Sequence, residues 1–250
     1  KRQDLLLLRP LVLFSLMITV FVMSACVSRG DVESMSAAEF SKMRSTIPIS
    51  NNATQRAYVN CVVRDIVSTL PEPYKSMNWD VELFENNAAN AFAMAGGKIG
   101  VFTGIFNVAK TQDQFASVIG HEIAHVTEDH TVDRINRAQV TGGAVSVSSI
   151  LLGDQLGIGT QNAQVLIDGA AQLGMTLPFG RKQESEADLV GLDYMASAGF
   201  DPRASIQLWK NMASTTNGAP PEFLSTHPSS DTRIGDLVGE MPEALPLYNQ

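Results

Sequence analysis

The chain has 250 residues, of which 44% are hydrophobic and 18% are charged, with a formal net charge of -8 and a pI of about 5.0. This hydrophobic fraction is too high for a disordered chain, and the length allows one large domain or two small ones. The acidic balance excludes the basic surface that nucleic-acid binding requires, and two cysteines cannot build a disulfide scaffold.

The N-terminus has the layout of a secretory signal. Two basic residues, Lys1 and Arg2, precede an apolar stretch from Leu11 to Met23. This stretch is too short for a bilayer core, which needs about 20 helical residues. Residues 1–25 are therefore predicted to be a signal peptide.

The end of that stretch, Met23-Ser24-Ala25-Cys26, resembles a bacterial lipobox, although leucine is more usual than methionine at its first position. In such a motif the cysteine is lipidated and becomes the mature N-terminus. Val27 stands where an aspartate would mark inner-membrane retention, so the resemblance implies a lipid anchor at Cys26 on the outer membrane, facing the periplasm. Two alternatives stay open: an uncleaved single-pass anchor, and a simple signal peptide with an incidental cysteine.

The chain after the signal divides into a short polar segment and a folded domain. Residues 26–50 are polar and mixed, which predicts a lipidated N-terminus and a tether, and residues 51–250 are predicted to form the domain. The domain opens on an amphipathic helix capped by Asn51 or Asn52. Its apolar residues recur at helical spacing: Val59, Val62, Val63, Ile66, Val67 and Leu70.

A small sheet is predicted next. Residues 79–84 alternate in polarity, and two further strands, 90–94 and 98–102, flank a turn at Gly96 and Gly97. This spacing predicts an antiparallel hairpin with one more strand beside it.

Helices make up most of the remaining chain. One begins at Thr111, because Thr111 and Gln114 form a capping box. The Gly/Ala-rich stretch 141–177 is predicted to be a close-packed helical pair. Further helices are predicted at three places: over 183–198, from Asp201, and over 231–240. The fold class is therefore α+β, with helices around a small sheet.

The helix from Thr111 contains the sequence HEIAH at 121–125. His121 and His125 lie about 40° apart around a helix, so both imidazoles can bind one metal ion. Glu122 is near them and can take a proton from water on that ion. By the same rotation His130 falls about 180° from His121, which predicts a surface or packing residue.

A tetrahedral catalytic zinc needs three protein ligands and an open position, so a third ligand must come from another segment. Glu184 and Asp188 share one face of the helix over 183–198, whereas Glu186 points away. Glu184 can complete a His-His-Glu set for one zinc ion, and Asp188 can accept the ring N–H of a ligand histidine. The alternative is that both acids lie on a solvated helix face.

Several segments together resemble the gluzincin metallopeptidases related to HtpX, the CAAX prenyl proteases and the Oma-type peptidases, most closely the family's soluble periplasmic lipoprotein branch. The resemblance covers about residues 50–240. The segments occur in this order: NAFAMAGGKI at 90–99, HEIAH at 121–125, ESEAD at 184–188, AGFDP at 198–202 and HPSSDTRI at 227–234.

By position, the resemblance makes His121, His125 and Glu184 the zinc ligands and Glu122 the general base, with Asp188 supporting a ligand from outside the coordination sphere. A zincin-type metallopeptidase domain, mostly helical with a small sheet, is the fold that it implies for residues 51–250.

The resemblance also implies a substrate site and a cover. The edge strand that would hold an extended substrate matches Asn90, Ala91, Phe92, Ala93 and Met94. His227 lies in a segment that can fold over the cleft, where it could approach the metal, stabilise the transition state or cap a turn. Arg233 is expected to tie that segment down.

The implied function is a zinc metalloendopeptidase, with one Zn²⁺ per chain, that degrades misfolded or misassembled proteins of the bacterial cell envelope. Expected partners are unfolded polypeptides, a membrane reached through the lipid, and envelope assembly machinery, with no nucleic acid. The rival hypothesis is a binding module, such as a protease-derived chaperone with a structural zinc. The complete HExxH motif argues against that rival, because a structural zinc needs no Glu122.

Overall fold

The computed structural model describes residues 27–137, 179–214, 223, 224, 227 and 231–250. Its helices are α1 (Arg29–Thr46), α2 (Ala53–Val67), α3 (Gln112–Thr127), α4 (Arg181–Ser197), α5 (Ala204–Ser214) and α6 (Asp231–Tyr248), and its strands are β1 (Asp80–Phe84), β2 (Ala91–Met94) and β3 (Lys98–Phe102). Residues 130–137 are also helical. The prediction of a mostly helical α+β fold with a small sheet is confirmed.

The three strands form one sheet in the order β1-β3-β2, so β2 lies at an edge. β2 runs antiparallel to β3, and the two are joined at Gly96 and Gly97, whose positive φ angles of 75° and 72° suit glycine. β1 pairs with β3 in parallel. The predicted hairpin is therefore present, and among the described residues no strand pairs with the outer side of β2.

The sheet packs on both faces. One face contributes Leu83, Ile99 and Val101 to the main core, which also contains the apolar side of α2 and most of α3. The opposite face contributes Phe84 and Phe102 to a second cluster. Both faces of the sheet are therefore covered, and its edge strand β2 contacts α3.

The prediction of a tether is wrong for residues 29–46, because they form helix α1. This helix packs on the face of the sheet that carries Phe84 and Phe102. Ser28 and Asp31 form a capping box at its start. Phe40 is 1% exposed and meets Phe84 edge to face, with 6.1 Å between ring centroids. Only four residues of α1 are buried, one of them a serine, so its sequence lacks the apolar stripe by which helices are recognised.

Two predicted helix caps are present, whereas the helix predicted over 183–198 spans Arg181–Ser197, the helix predicted from Asp201 begins at Ala204, and the last helix is longer than predicted. Asn52 caps α2, and Thr111 caps α3 by accepting the N–H of Gln114. The last helix was predicted to stop at residue 240, but α6 continues to Tyr248 through Pro242. A proline usually ends a helix, yet Ala244 beyond it is fully buried, and this packing continues the helix.

Two predictions lie outside the described residues: the signal peptide with Cys26, and the helical pair over 141–177. Within the residues that are described, no helix is both long enough and apolar enough to cross a bilayer.

Candidate metal centre and active site

The HExxH helix α3 presents both of its histidines to one point. His121 and His125 are buried, and their Nε2 atoms lie 3.1 Å apart. Their rings meet edge to face, with 4.7 Å between centroids. The spacing of four residues therefore produces the convergence that the sequence predicted.

Helix α4 approaches α3 closely because glycines face each other at the crossing. A Cβ atom on Gly120 would lie 2.5 Å from the carbonyl oxygen of Gly191, and one on Gly191 would lie 2.6 Å from the backbone nitrogen of His121. No side chain larger than hydrogen fits at either position. This contact brings Glu184 of α4 to the histidine pair.

Glu184 and His227 complete a buried group of four potential metal ligands with His121 and His125, whose ligand atoms all lie within 4.8 Å of one another. Glu184 Oε2 is 3.5 Å from His121 Nε2, and Glu184 Oε1 is 3.7 Å from His125 Nε2. His227 Nδ1 is 3.2 Å from His121 Nε2 and 3.1 Å from Glu184 Oε1.

These separations fit a tetrahedral ion. Donor atoms held about 2.0–2.1 Å from a zinc ion lie about 3.3 Å from each other. Three imidazole nitrogens with one carboxylate oxygen are donors that zinc accepts readily. Burial alone would raise the pKa of Glu184, but hydrogen bonds with His121 and His227 outweigh burial and lower that pKa, so the carboxylate is ionised for a metal.

Asp188 lies where the sequence predicted, behind His121. Its Oδ1 is 3.0 Å from His121 Nδ1, so it can accept the ring N–H while Nε2 faces the metal. Burial raises the pKa of Asp188, yet its hydrogen bonds with Arg233 and His121 lower it overall.

Arg233 from α6 does more than tie down a segment. Its Nε and Nη2 donate to the two oxygens of Asp188 at 2.6 and 2.7 Å, and its Nη1 lies 2.7 Å from Glu184 Oε2. The guanidinium is 2% exposed and lies 4.0 Å from the ring centroid of Trp209. One cation therefore pairs with two buried carboxylates and sets the direction of both.

Glu122 lies between the metal ligands and the edge strand β2. Its Oε2 accepts the backbone N–H of Ala93 at 3.0 Å, and its Oε1 lies 3.2 Å from His227 Nε2. Burial raises the pKa of Glu122 above its ordinary value. The carboxyl group is thus close to the ligands without being one of them, as a general base requires.

The edge strand has the orientation that the sequence prediction needs. Phe102 donates its N–H to the carbonyl of Asn90, on the β3 side, whereas the N–H of Ala93 points outward to Glu122. Because backbone groups alternate along a strand, Ala91 faces outward with Ala93, while Phe92 and Met94 face β3.

Residues 53–241, which include the HExxH helix and Glu184, match Peptidase family M48. The chain belongs to this family. The resemblance to gluzincin peptidases is thereby confirmed, and the residues from 53 to 241 form an M48 metallopeptidase domain.

Relatives of the M48 domain fall into two groups. The chain is 35% identical over 189 residues to the mitochondrial metalloendopeptidase OMA1 of Schizosaccharomyces pombe, which covers 75% of this chain and 53% of that protein. It is 32% identical over 180 residues to the mitochondrial metalloendopeptidase OMA1 of Homo sapiens, and this alignment covers 68% of this chain and 34% of that protein.

The second group is bacterial. The chain is 27% identical over 220 residues to the beta-barrel assembly-enhancing protease of Escherichia coli, which covers 84% of this chain and 43% of that protein. The M48 chain thus spans about half the length, or less, of the curated relatives it matches.

Three residues of the M48 site were missed or misplaced by sequence reasoning. His130, predicted to be a surface or packing residue, is buried and contacts His125, because α3 ends at Thr127 and the chain turns through Asp129, whose φ is 55°. Phe179 stacks on His125 with 3.7 Å between centroids, and the Arg134 guanidinium lies 3.7 Å from the Phe179 ring. Nothing in the sequence around Phe179 or Arg134 marks either residue as part of the site.

The metal affinity of the M48 site is expected to rise steeply with pH. Burial lowers the pKa of His121, but hydrogen bonds with Asp188 and Glu184 outweigh burial and raise that pKa to about 9. At neutral pH an incoming ion must therefore displace a proton from His121. Zinc affinity, measured by chelator competition, should rise about tenfold per pH unit between about pH 6 and 8 and level off near 9.

The control for this prediction is Asp188→Asn, which removes the anionic acceptor and should move the plateau to lower pH. An affinity that is already constant above about pH 7.5 in the wild-type protein would contradict the prediction, because it would indicate an ordinary histidine pKa.

Proposed function

We propose that this chain is a zinc-dependent endopeptidase that hydrolyses misfolded or misassembled proteins of the bacterial cell envelope. The observation that carries the proposal is the hydrogen bond between Glu122 and the outward-facing N–H of Ala93. It places a buried carboxyl group between the His-His-Glu ligand set and the open edge of a strand, which is the arrangement that peptide hydrolysis requires.

The chemistry follows from this arrangement. His121, His125 and Glu184 would hold the zinc ion, which when bound makes water more acidic and polarises the scissile carbonyl. Glu122 accepts the proton of the attacking water on a carboxylate oxygen and delivers it to the leaving amine nitrogen. Burial, which raises the pKa of Glu122, brings this group closer to the pH at which it must both take and release a proton.

The edge strand suits an unfolded polypeptide. Ala91 and Ala93 turn their backbone groups outward, and the N–H of Ala93 is donated to Glu122. An extended peptide would therefore add to the sheet through the N–H of Ala91 and the carbonyls of Ala91 and Ala93. Such bonds do not depend on side-chain identity. This independence supports a protease that acts on unfolded segments, for which Asn90–Met94 form the binding strand.

The location is inferred from the N-terminus and from one group of relatives. The basic start, the short apolar stretch and the lipobox-like sequence ending in Cys26 favour a lipid anchor on the periplasmic side of the outer membrane. The name beta-barrel assembly-enhancing protease ties one relative to envelope assembly, and this supports misassembled envelope proteins as substrates and assembly machinery as a partner. The OMA1 relatives are mitochondrial by name.

His227 is proposed to block the site at rest. A catalytic zinc needs one coordination position that no protein ligand fills. The Nδ1 atom of His227 lies close to the other three donors, where it would fill that position. Its Nε2 also contacts Glu122. Substrate binding would therefore require His227 to leave both contacts.

The variant Glu122→Gln should lose about 100-fold to 10,000-fold in cleavage of a labelled unfolded protein while it keeps the zinc content of the wild type. The amide has the same shape but cannot accept the proton, and Glu122 is not one of the four ligand residues. Glu128→Gln is the matched control, since Glu128 follows the end of α3 and lies outside the site. If the wild-type protein also fails to cut although it holds one zinc, the structural-zinc rival gains support.

Replacing the blocking histidine, His227→Ala, should increase kcat/KM for the same substrate about tenfold, which is the gain when a competent state rises from about a tenth of the molecules to nearly all of them. The three other ligands remain, so the zinc content should stay at one per chain. A fall in kcat at unchanged zinc content would instead assign His227 to stabilisation of the transition state.

Lipid attachment is tested by growing producing cells with radiolabelled palmitate. The wild-type chain should incorporate the label and sediment with outer membranes, and Cys26→Ser should lose the label. Cys61→Ser is the matched control, because Cys61 is the other cysteine of the chain. Sedimentation with membranes that is unaffected by Cys26→Ser, together with an absence of label, would favour an uncleaved protein anchor.

A further inference from the structure

The buried ring of His130 has no role in the mechanism, yet it contacts a metal ligand. His130 Nδ1 lies 2.9 Å from His125 Nδ1, on the side of the His125 ring that faces away from the other donors. His130 is 3% exposed, and its Nε2 lies 3.4 Å from Glu186 Oε2. A short chain of three side chains therefore leads from the ligand to the surface.

We propose that His130, supported by Glu186, is a positioning residue that holds His125 in the orientation and tautomer required for zinc binding. This inference rests on the proposed function, because it takes His125 to be a zinc ligand.

The direction of each hydrogen bond follows from the position of the metal donors. His125 Nε2 faces His121 and Glu184, so this nitrogen must be unprotonated to bind an ion. The neutral His125 ring then carries its proton on Nδ1 and donates it to His130 Nδ1. Because His130 accepts there, its own proton is on Nε2, where it can be donated to Glu186 Oε2.

The surrounding residues restrict both rings. Phe179 stacks on His125 with an interplanar angle of 11°, which fixes the ring plane, and the bond to His130 fixes the remaining rotation within that plane. The side-chain amide of Gln183 lies 3.5 Å from the carbonyl oxygen of His130 and can donate to it. Stacking and hydrogen bonding together define the orientation of the His125 ring relative to His130, which apolar packing alone would not do.

Little more than one turn of α4, residues 184–188, thus supports both histidine ligands. Asp188 contacts His121 directly, whereas Glu186 reaches His125 through His130, and Glu184 provides the ligand oxygen. Glu186 points away from Glu184, as the sequence predicted. Its side chain therefore lies beside His130 rather than among the four potential metal ligands.

Zinc affinity of the purified protein, measured by chelator competition, tests the role of His130. His130→Leu removes the acceptor at similar volume and should weaken zinc binding about 10-fold to 100-fold. His130→Asn places an amide oxygen near the position of Nδ1 and should recover most of that loss. Glu186→Gln should have a smaller effect, because its side chain is 45% exposed. The matched control Glu72→Gln should have none, because Glu72 is exposed and hydrogen-bonds Ser76 instead.

The tautomers provide a second test on the unaltered protein. Long-range proton–nitrogen correlation spectra of the zinc-loaded form should show the proton of His125 on Nδ1 and that of His130 on Nε2. This readout does not depend on whether His130→Leu folds, and a role in packing alone would not predict it.

Three results would overturn the inference: a His130 proton on Nδ1, zinc binding by folded His130→Leu as tight as in the wild type, or an equal loss in His130→Asn and His130→Leu. If the wild-type protein binds no zinc at all, the proposed function fails together with the inference. If it binds zinc and cleaves while the His130 variants bind equally well, only the inference fails.

Discussion

The close contact between Gly120 and Gly191 is the constraint on which the site depends. A methyl group at either position would lie 2.5–2.6 Å from backbone atoms of the facing helix, so the helices would have to separate. Metal donors must be placed to within about 0.5 Å, and Glu184 is the one donor of the His-His-Glu set that lies outside α3. The ligand set therefore exists only because two glycines allow α3 and α4 to touch.

Bringing the helices together creates an electrostatic problem that Arg233 resolves. Glu184 and Asp188 are both almost fully buried, and unpaired buried carboxylates would be protonated or would destabilise the fold. Arg233 pairs with both acids from one position, and Trp209 of α5 supports the guanidinium. Helices α5 and α6, which contribute no ligand of the His-His-Glu set, thus orient both carboxylates. Arg233 also helps to lower the pKa of Asp188, whereas His121 and His227 lower that of Glu184.

The parts of the structure that were predictable from sequence are those with local signals. The HExxH spacing, the Asn52 and Thr111 caps and the glycine turn each depend on residues within a few positions of one another. The contact of His130 with His125 was not predicted, because the helical rotation was extended past Thr127, where the chain in fact turns at Asp129. Phe179 and Arg134 could not be found, because their place beside His125 depends on packing between distant segments.

Helix α1 changes how a lipid anchor would act. A tether would allow the domain to stand away from the membrane, but Val27 already donates its N–H to Asn136 at 2.9 Å, and Val32 is fully buried against the body of the domain. If Cys26 carries the lipid, then no free chain separates it from the folded domain. A lipid on Cys26 would therefore hold the M48 domain close to the bilayer surface instead of letting it stand away on a flexible linker.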